Sequence, residues 1–181
     1  MPTLILVGGP PASGKTTLAH LLGPRVPCPV ISRDEIKEGI VHTEGGEKPE
    51  WGGPVSRRTI DTFVATIKLL LAADVTVVAE AAFHNGFWEG DLASVLDLAD
   101  VRVVSCRVDT ALARERIVRR ANDHAHARAS HPDEELLAAL DNGEMRPEDF
   151  DEIARVFPSM SVDTTDGYEP DIEAIVAFAS R

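Results

Sequence analysis

The chain has 181 residues, 44% of them hydrophobic, and a formal net charge of −12 from 18 basic against 30 acidic side chains. That length predicts one domain, residues 1–181, long enough to bury a substantial core. An acidic surface repels phosphates and so disfavours general nucleic-acid binding, and no apolar stretch approaches the roughly 20 residues that span a bilayer.

The first strand is expected at Thr3–Val7, where Leu4-Ile5-Leu6-Val7 is unbroken apolar sequence. No cationic leader precedes it, so no signal peptide is expected. Cys28 and Cys106 are isolated in strand-like segments and read as reduced core thiols, which points to the cytoplasm. No membrane association and no obligate protein partner are evident.

Directly after this strand, Gly9-Pro10-Pro11-Ala12-Ser13-Gly14-Lys15-Thr16 matches G-x-x-x-x-G-K-[ST], the signature of a phosphate-binding loop. Its glycines let the chain curl so that backbone N–H groups face phosphate oxygens. Lys15 is expected to reach the β- and γ-phosphates, and the Thr16 hydroxyl to ligate Mg²⁺. A helix starting near Lys15, with the amphipathic run Thr17-Leu18-Ala19-His20-Leu21-Leu22, would add the positive end of its dipole. The expected nucleotide-binding set is Gly9, Ala12, Ser13, Gly14, Lys15, Thr16 and Thr17, with ATP and Mg²⁺ as the cofactors.

A short second strand at Pro29–Ser32 leads into a helix over Arg33–Ile40. Ligands of such sheets sit beyond the carboxyl ends of the strands, so Asp34 should face the same crevice as the phosphate loop. A carboxylate there can take the proton of an attacking hydroxyl as general base; the alternative is a plain helix N-cap. Lys37, one turn on, lies on the same helix face and suits an acceptor's phosphate or carboxylate. His42–Pro54 is rich in Gly and Pro and reads as a loop, an acceptor loop bordered by Trp51, Arg57, Arg58 and Lys48, the first and last of them within its span. Ser56 is the expected N-cap of a helix to about Ala73, with Ile60, Phe63, Val64, Ile67, Leu70 and Leu71 on one side.

Val75–Glu80 is a nearly unbroken apolar strand, as expected when helices cover both faces. Its closing Glu80 is a candidate for Mg²⁺ through water or for orienting an acceptor, and alternatively a buried carboxylate paired with an arginine. Phe83, His84, Phe87 and Trp88 suggest an acceptor-pocket wall or simply core. Trp88–Leu98 reads as helix, Val101–Val108 as strand, and Thr110–Arg128 as a long arginine-rich helix or lid, the lid reaching about residue 132. There Arg116, Arg120, His124 and Arg128 recur every four residues and share a face. Six arginines lie between Arg107 and Arg128 against Asp109, Glu115 and Asp123, whereas 14 acids from residue 132 onward meet only Arg146, Arg155 and Arg181. The basic stripe suits a γ-phosphate, and the acidic tail reads as a solvated face. His124, His126 and His131 lack the spacing and nearby thiols of a metal site. Helix at Glu134–Leu140, strand at Ser161–Asp163 and helix at Asp171–Ala179 complete an α/β pattern, which calls for three layers around a parallel sheet.

The phosphate loop, the Arg33-Asp34 pair and the arginine stripe together resemble P-loop kinases of the nucleoside-kinase-like group, including polynucleotide 5′-hydroxyl kinases, zeta toxins and chloramphenicol phosphotransferases. That resemblance implies a five-stranded parallel sheet with an arginine-rich lid. In the polynucleotide kinases an Arg-Asp pair supplies the general base, followed three residues later by an acceptor-binding arginine. Asp34 and Lys37 hold those positions, and lysine loses the bidentate grip. The segment Arg116-Ile117-Val118-Arg119-Arg120 looks like an adenylate-kinase-type lid, which implies Arg116 against the adenine and Arg120 against the transferring phosphate. The loop Thr164-Thr165-Asp166-Gly167 stands where such kinases complete the adenine pocket, with Asp166 as its nucleotide contact. Glu80 occupies a Walker B position with glutamate for aspartate.

The expected chemistry is transfer of the ATP γ-phosphate to a hydroxyl. Lys15, Asp34 and Arg120 are its catalytic residues, and Lys37, Arg57, Glu80 and Arg128 its acceptor contacts. The acceptor is either a nucleic-acid 5′ end, suited by stacking and phosphate contacts around Trp51, or a small metabolite or antibiotic, which the net acidity favours. A nucleotide-switched accessory protein is the reading from another class.

Overall fold

The computed structural model of the protein describes residues 1–45, 53–84, 89–122, 133–144, 146–150 and 152–180. Five strands form one all-parallel sheet: β1 (Thr3–Gly8), β2 (Val30–Ser32), β3 (Val77–Glu80), β4 (Asp100–Arg107) and β5 (Ser159–Asp163). Their spatial order is β2-β3-β1-β4-β5. Parallel neighbours require long crossovers, and helices supply them here.

The alternation of side chains along β1 divides the core into two layers. Leu4 and Leu6 point to a cluster with Ile60, Phe63, Ile67 and Leu71 of α3 (Pro54–Ala72) and Leu92 and Val95 of α4 (Glu89–Leu96). Ile5 and Val7 point to the opposite cluster, with Leu18, Ala19 and Leu22 of α1 (Lys15–Leu22) and Ile175 and Ala179 of α8 (Ile172–Ala179). Each of these β1 side chains is fully buried, which stabilises the fold by about 1.5–3 kcal/mol apiece. α2 (Arg33–Thr43) packs on α3, while α5 (Thr110–Asn122) packs on α6 (Asp133–Asp141).

Several boundaries depart from the sequence reading, among them the end of α2, which runs to Thr43 rather than Ile40 and takes in the start of the expected His42–Pro54 loop. α3 begins at Pro54 behind Gly53, and Ser56 is buried within its first turn rather than capping it. Proline at the first helical position lacks an N–H that would be orphaned there anyway, and its φ is already helical. β5 begins at Ser159, two residues early, and the expected strand from Val75 is paired only from Val77. A 3₁₀ turn at Pro147–Phe150 and the short α7 (Glu152–Val156) were not anticipated. Cys28 and Cys106 are both free thiols. Among the described residues, no helix is long and apolar enough to cross a membrane.

This topology fixes where a ligand can bind. The chain leaves β1 for the β2–β3 side of the sheet and later returns to β4 on the other side, so the crevice opens at the carboxyl end of β1.

Candidate functional site

Residues 9–14 bridge β1 and α1 in a tight loop whose shape depends on its glycines. Gly9 has φ +141, and a Cβ there would stand 2.5 Å from the Cys106 carbonyl oxygen, so only glycine fits. Gly14 adopts the left-handed conformation, φ 77, immediately before the helix. Ala12 is also left-handed, φ 60, which costs a residue with a Cβ about 1–2 kcal/mol. The Ser13 N–H closes the turn by donating to the Pro10 carbonyl at 3.2 Å. Ser13 is fully buried and its hydroxyl has no partner among the described residues.

Beyond this loop lies a cleft of about 720 Å³, with Ala12, Gly14, Lys15, Thr16 and Thr17 along one wall. That volume suits a nucleotide-sized ligand, since small-molecule sites run from about 300 to 1,000 Å³. Lys15 is 7% exposed, so its ammonium is presented to the cleft from a largely enclosed stem. The first backbone N–H groups of α1, which have no partner within the helix, open on the same space.

The carboxyl ends of β2 and β3 supply the second wall through Ser32, Asp34 and Glu35. Ser32, not Asp34, caps α2: its hydroxyl accepts from the Glu35 N–H at 3.5 Å. The same hydroxyl donates to Glu80 Oε2 at 2.6 Å. Asp34, in the first turn of α2, accepts from the Arg33 guanidinium at 2.6 Å and lines the cleft. Glu80 is fully buried. Burial pushes its carboxyl above the ordinary value of 4.5, against the opposing pull of Lys15 and the Ser32 hydroxyl; Asp34 raises it further and the Thr16 hydroxyl lowers it. Its Oε1 has no hydrogen-bond partner at ordinary distance among the described residues. An orphaned carboxylate oxygen beside a threonine hydroxyl is a hard-oxygen donor set, and it fits a hydrated Mg²⁺.

Helix α5 brings Arg116, Arg119 and Arg120 to the cleft, and the structure commits two of them. Arg116 donates to the Ala12 carbonyl and to the Thr164 carbonyl, both at 3.1 Å. Arg120 forms a bidentate pair with Asp133 at the start of α6, with Nε to Oδ2 at 3.0 Å. Arg114, on the outer side, pairs with Asp141. The fourth wall comes from the segment after β5, through Thr164, Gly167 and Tyr168.

The phosphate loop, Asp34, Arg116 and Arg120 thus converge on one cleft, with Glu80 just beneath it. Other expected positions lie elsewhere. Arg57 pairs with Asp61 on the exposed side of α3, and Arg58 pairs with Glu44. Lys37 is 8% exposed and does not line the cleft. Asp166 is exposed while its neighbour Gly167 borders the cleft. Arg128, the histidines at 124, 126 and 131, Lys48, Trp51, Phe87 and Trp88 lie outside the described residues. Sequence reasoning placed Thr164 in the loop at the adenine pocket but not its hold on the phosphate loop, and it missed Tyr168 and Asp133. Tyr168, the chain's one tyrosine directly after the loop Thr164–Gly167 already singled out, carried a readable signal; Asp133 carried none.

Residues 4–144 match a protein family described as an AAA domain. No curated protein matches the chain in sequence. Among solved structures, a candidate kinase from Chloroflexus aurantiacus J-10-fl is similar at TM-score 0.81 and 25% identity, over 97% of this chain and 95% of that one. A gluconokinase from Sinorhizobium meliloti 1021 shares the fold at TM-score 0.58 and 17% identity, over 99% and 92% of the two chains. Kti12 from Chaetomium thermophilum, solved with ADP-AlF3, shares it at TM-score 0.66 and 15% identity, over 99% and 100%.

Proposed function

The chain belongs to the AAA-domain family that its residues 4–144 match, and on that premise we propose that it is an ATP-dependent phosphotransferase acting on a hydroxyl of a small molecule. The observation that carries this reading is Asp34. Its carboxylate lines the same cleft as Lys15 while the Ser32 side chain caps α2, so a carboxylate that can act as a base stands beside the phosphate loop. A nucleotide switch has no need of such a group.

In this reading Lys15 and the backbone of residues 9–14 hold the β- and γ-phosphates, and Asp34 receives the proton as the acceptor oxygen attacks. Mg²⁺, held through Thr16 and through Glu80 by way of water, would neutralise charge on the phosphates. Arg120 reaches the γ-phosphate by exchanging Asp133 for it. Tyr168 and Gly167 border the space for the base. The domain extends over the whole chain, α5 is the described part of a lid whose remaining residues, 123–132, lie outside the described ones, and the location is the cytoplasm.

The choice of a small acceptor over a nucleic-acid 5′ end follows from how the described cations are spent. Arg57 and Arg58 are tied to Asp61 and Glu44, Arg33 is tied to Asp34, and Lys37 is buried. No basic track leads to the cleft across these elements, and the whole chain carries −12. A polynucleotide would need several phosphate contacts there.

Asp34→Asn is the test. As general base, Asp34 is worth about 10²–10⁴-fold in turnover, so the variant should consume ATP that much more slowly at unchanged ADP affinity. Turnover equal to wild type would remove Asp34 from the chemistry and favour the switch.

A further inference from the structure

Thr164 sits just past β5, 6% exposed, and its hydroxyl reaches back across the fold. Its single proton is shared between the Ser13 carbonyl at 2.7 Å and the Arg107 carbonyl at 2.9 Å, and its N–H also donates to the Arg107 carbonyl at 2.8 Å. Arg116 completes the connection with its two bonds to the Ala12 and Thr164 carbonyls. Two consecutive carbonyls of the phosphate loop are therefore held from outside by side chains of two other segments. We infer that Thr164 and Arg116 form a clamp that shapes the phosphate loop for its anion, and that both are positioning residues for the proposed phosphoryl transfer.

Peptide planarity gives the mechanism. In a trans peptide the C=O of one residue and the N–H of the next point in opposite directions. Holding the Ser13 carbonyl on the Thr164 side turns the Gly14 N–H toward the loop's interior. That N–H has no partner among the described residues, which leaves it for a phosphate oxygen. Holding the Ala12 carbonyl with a guanidinium keeps Ala12 in its left-handed conformation, which a residue with a Cβ does not hold unaided. Thr164 also lies against the loop: a Cβ on Gly14 would stand in ordinary contact with its hydroxyl, at 3.7 Å. Because Arg116 spans the loop and the segment carrying Tyr168, the two ends of the nucleotide site are set by one guanidinium. Its role is then to strap the loop rather than to offer a platform to the base.

The inference rests on the phosphate loop binding a nucleotide, and the experiment separates the two. Calorimetric titration of the whole chain with ADP and with inorganic tripolyphosphate compares wild type with Thr164→Val, Thr164→Ser and Arg116→Lys. Thr164→Val keeps the shape and loses the donor, so it should weaken both ligands by the same factor, about tenfold for one lost hydrogen bond. Thr164→Ser restores the donor and should return affinity to within about twofold. Arg116→Lys keeps the charge, loses the fork, and should weaken both ligands even if the valine variant folds poorly. The melting midpoint of the ligand-free proteins reads any general loss of structure. Wild-type affinity in Thr164→Val, a serine variant as weak as the valine one, or a loss for ADP that tripolyphosphate does not share would overturn the clamp. A wild-type chain that binds neither ligand would overturn the nucleotide reading itself.

Discussion

A carboxyl group shut away from water, as Glu80 is, gives up its proton reluctantly, because the charge left behind is poorly solvated. Its pKa is raised, so the native protein keeps this proton at pH values where the unfolded chain has lost it. In the ligand-free protein this group's contribution to stability is therefore lost as pH climbs from the ordinary value of 4.5 through the raised one, and the loss is complete above it. Glu80→Gln carries no such proton. In denaturant titrations across a pH series, wild-type stability relative to this variant should fall over that window and be flat on either side. A difference that is flat throughout would mean that the carboxyl titrates as if in water. If Glu80 also orients the hydrated Mg²⁺, the variant should lose about 10–100-fold in turnover.

Within elements, what local pattern could reveal and what it could not are separated by sequence distance. The phosphate loop was legible because eight consecutive residues carry its chemistry in backbone and glycine conformation. The four-residue spacing of Arg116 and Arg120 brought both to the cleft on α5. Their partners were not legible: Thr164 lies 151 positions from the Ser13 carbonyl it holds, and no periodicity in α5 foretells that α6 will set Asp133 against Arg120. The start of α3 was misread because a serine looks like a cap wherever it precedes an apolar stripe, while Pro54 settled the matter two residues earlier. The Arg120–Asp133 pair makes its own prediction. Asp133 is 8% exposed, so Asp133→Ala leaves a guanidinium partly enclosed without its partner and should destabilise the protein by about 1–3 kcal/mol. Arg120→Ala should cost a similar amount, and the double variant less than the sum. Additive losses in denaturant titration would show that the pair does not couple the two helices.

At the scale of the whole molecule, an overall charge of −12 surrounds a cleft whose cations come from the phosphate loop and α5. Such a field admits a chelated nucleotide to a few focused positive groups and resists a long polyanion. The acceptor class should therefore show itself in the salt response. An oligonucleotide end held by phosphate contacts would lose affinity with a slope of about −0.7 per contact in log K against log salt, whereas a small uncharged hydroxyl compound would show almost none. The most direct measurement follows the labelled γ-phosphate of ATP onto a panel of small hydroxyl compounds and 5′-hydroxyl oligonucleotides, at low and physiological salt, with Lys15→Ala as control. The expected result is a labelled small molecule, formed at nearly equal rates at both salts and absent with Lys15→Ala. Label appearing only on oligonucleotides with a steep salt slope would contradict the acceptor class, and ATP bound with no label transferred to any acceptor would contradict the phosphotransferase.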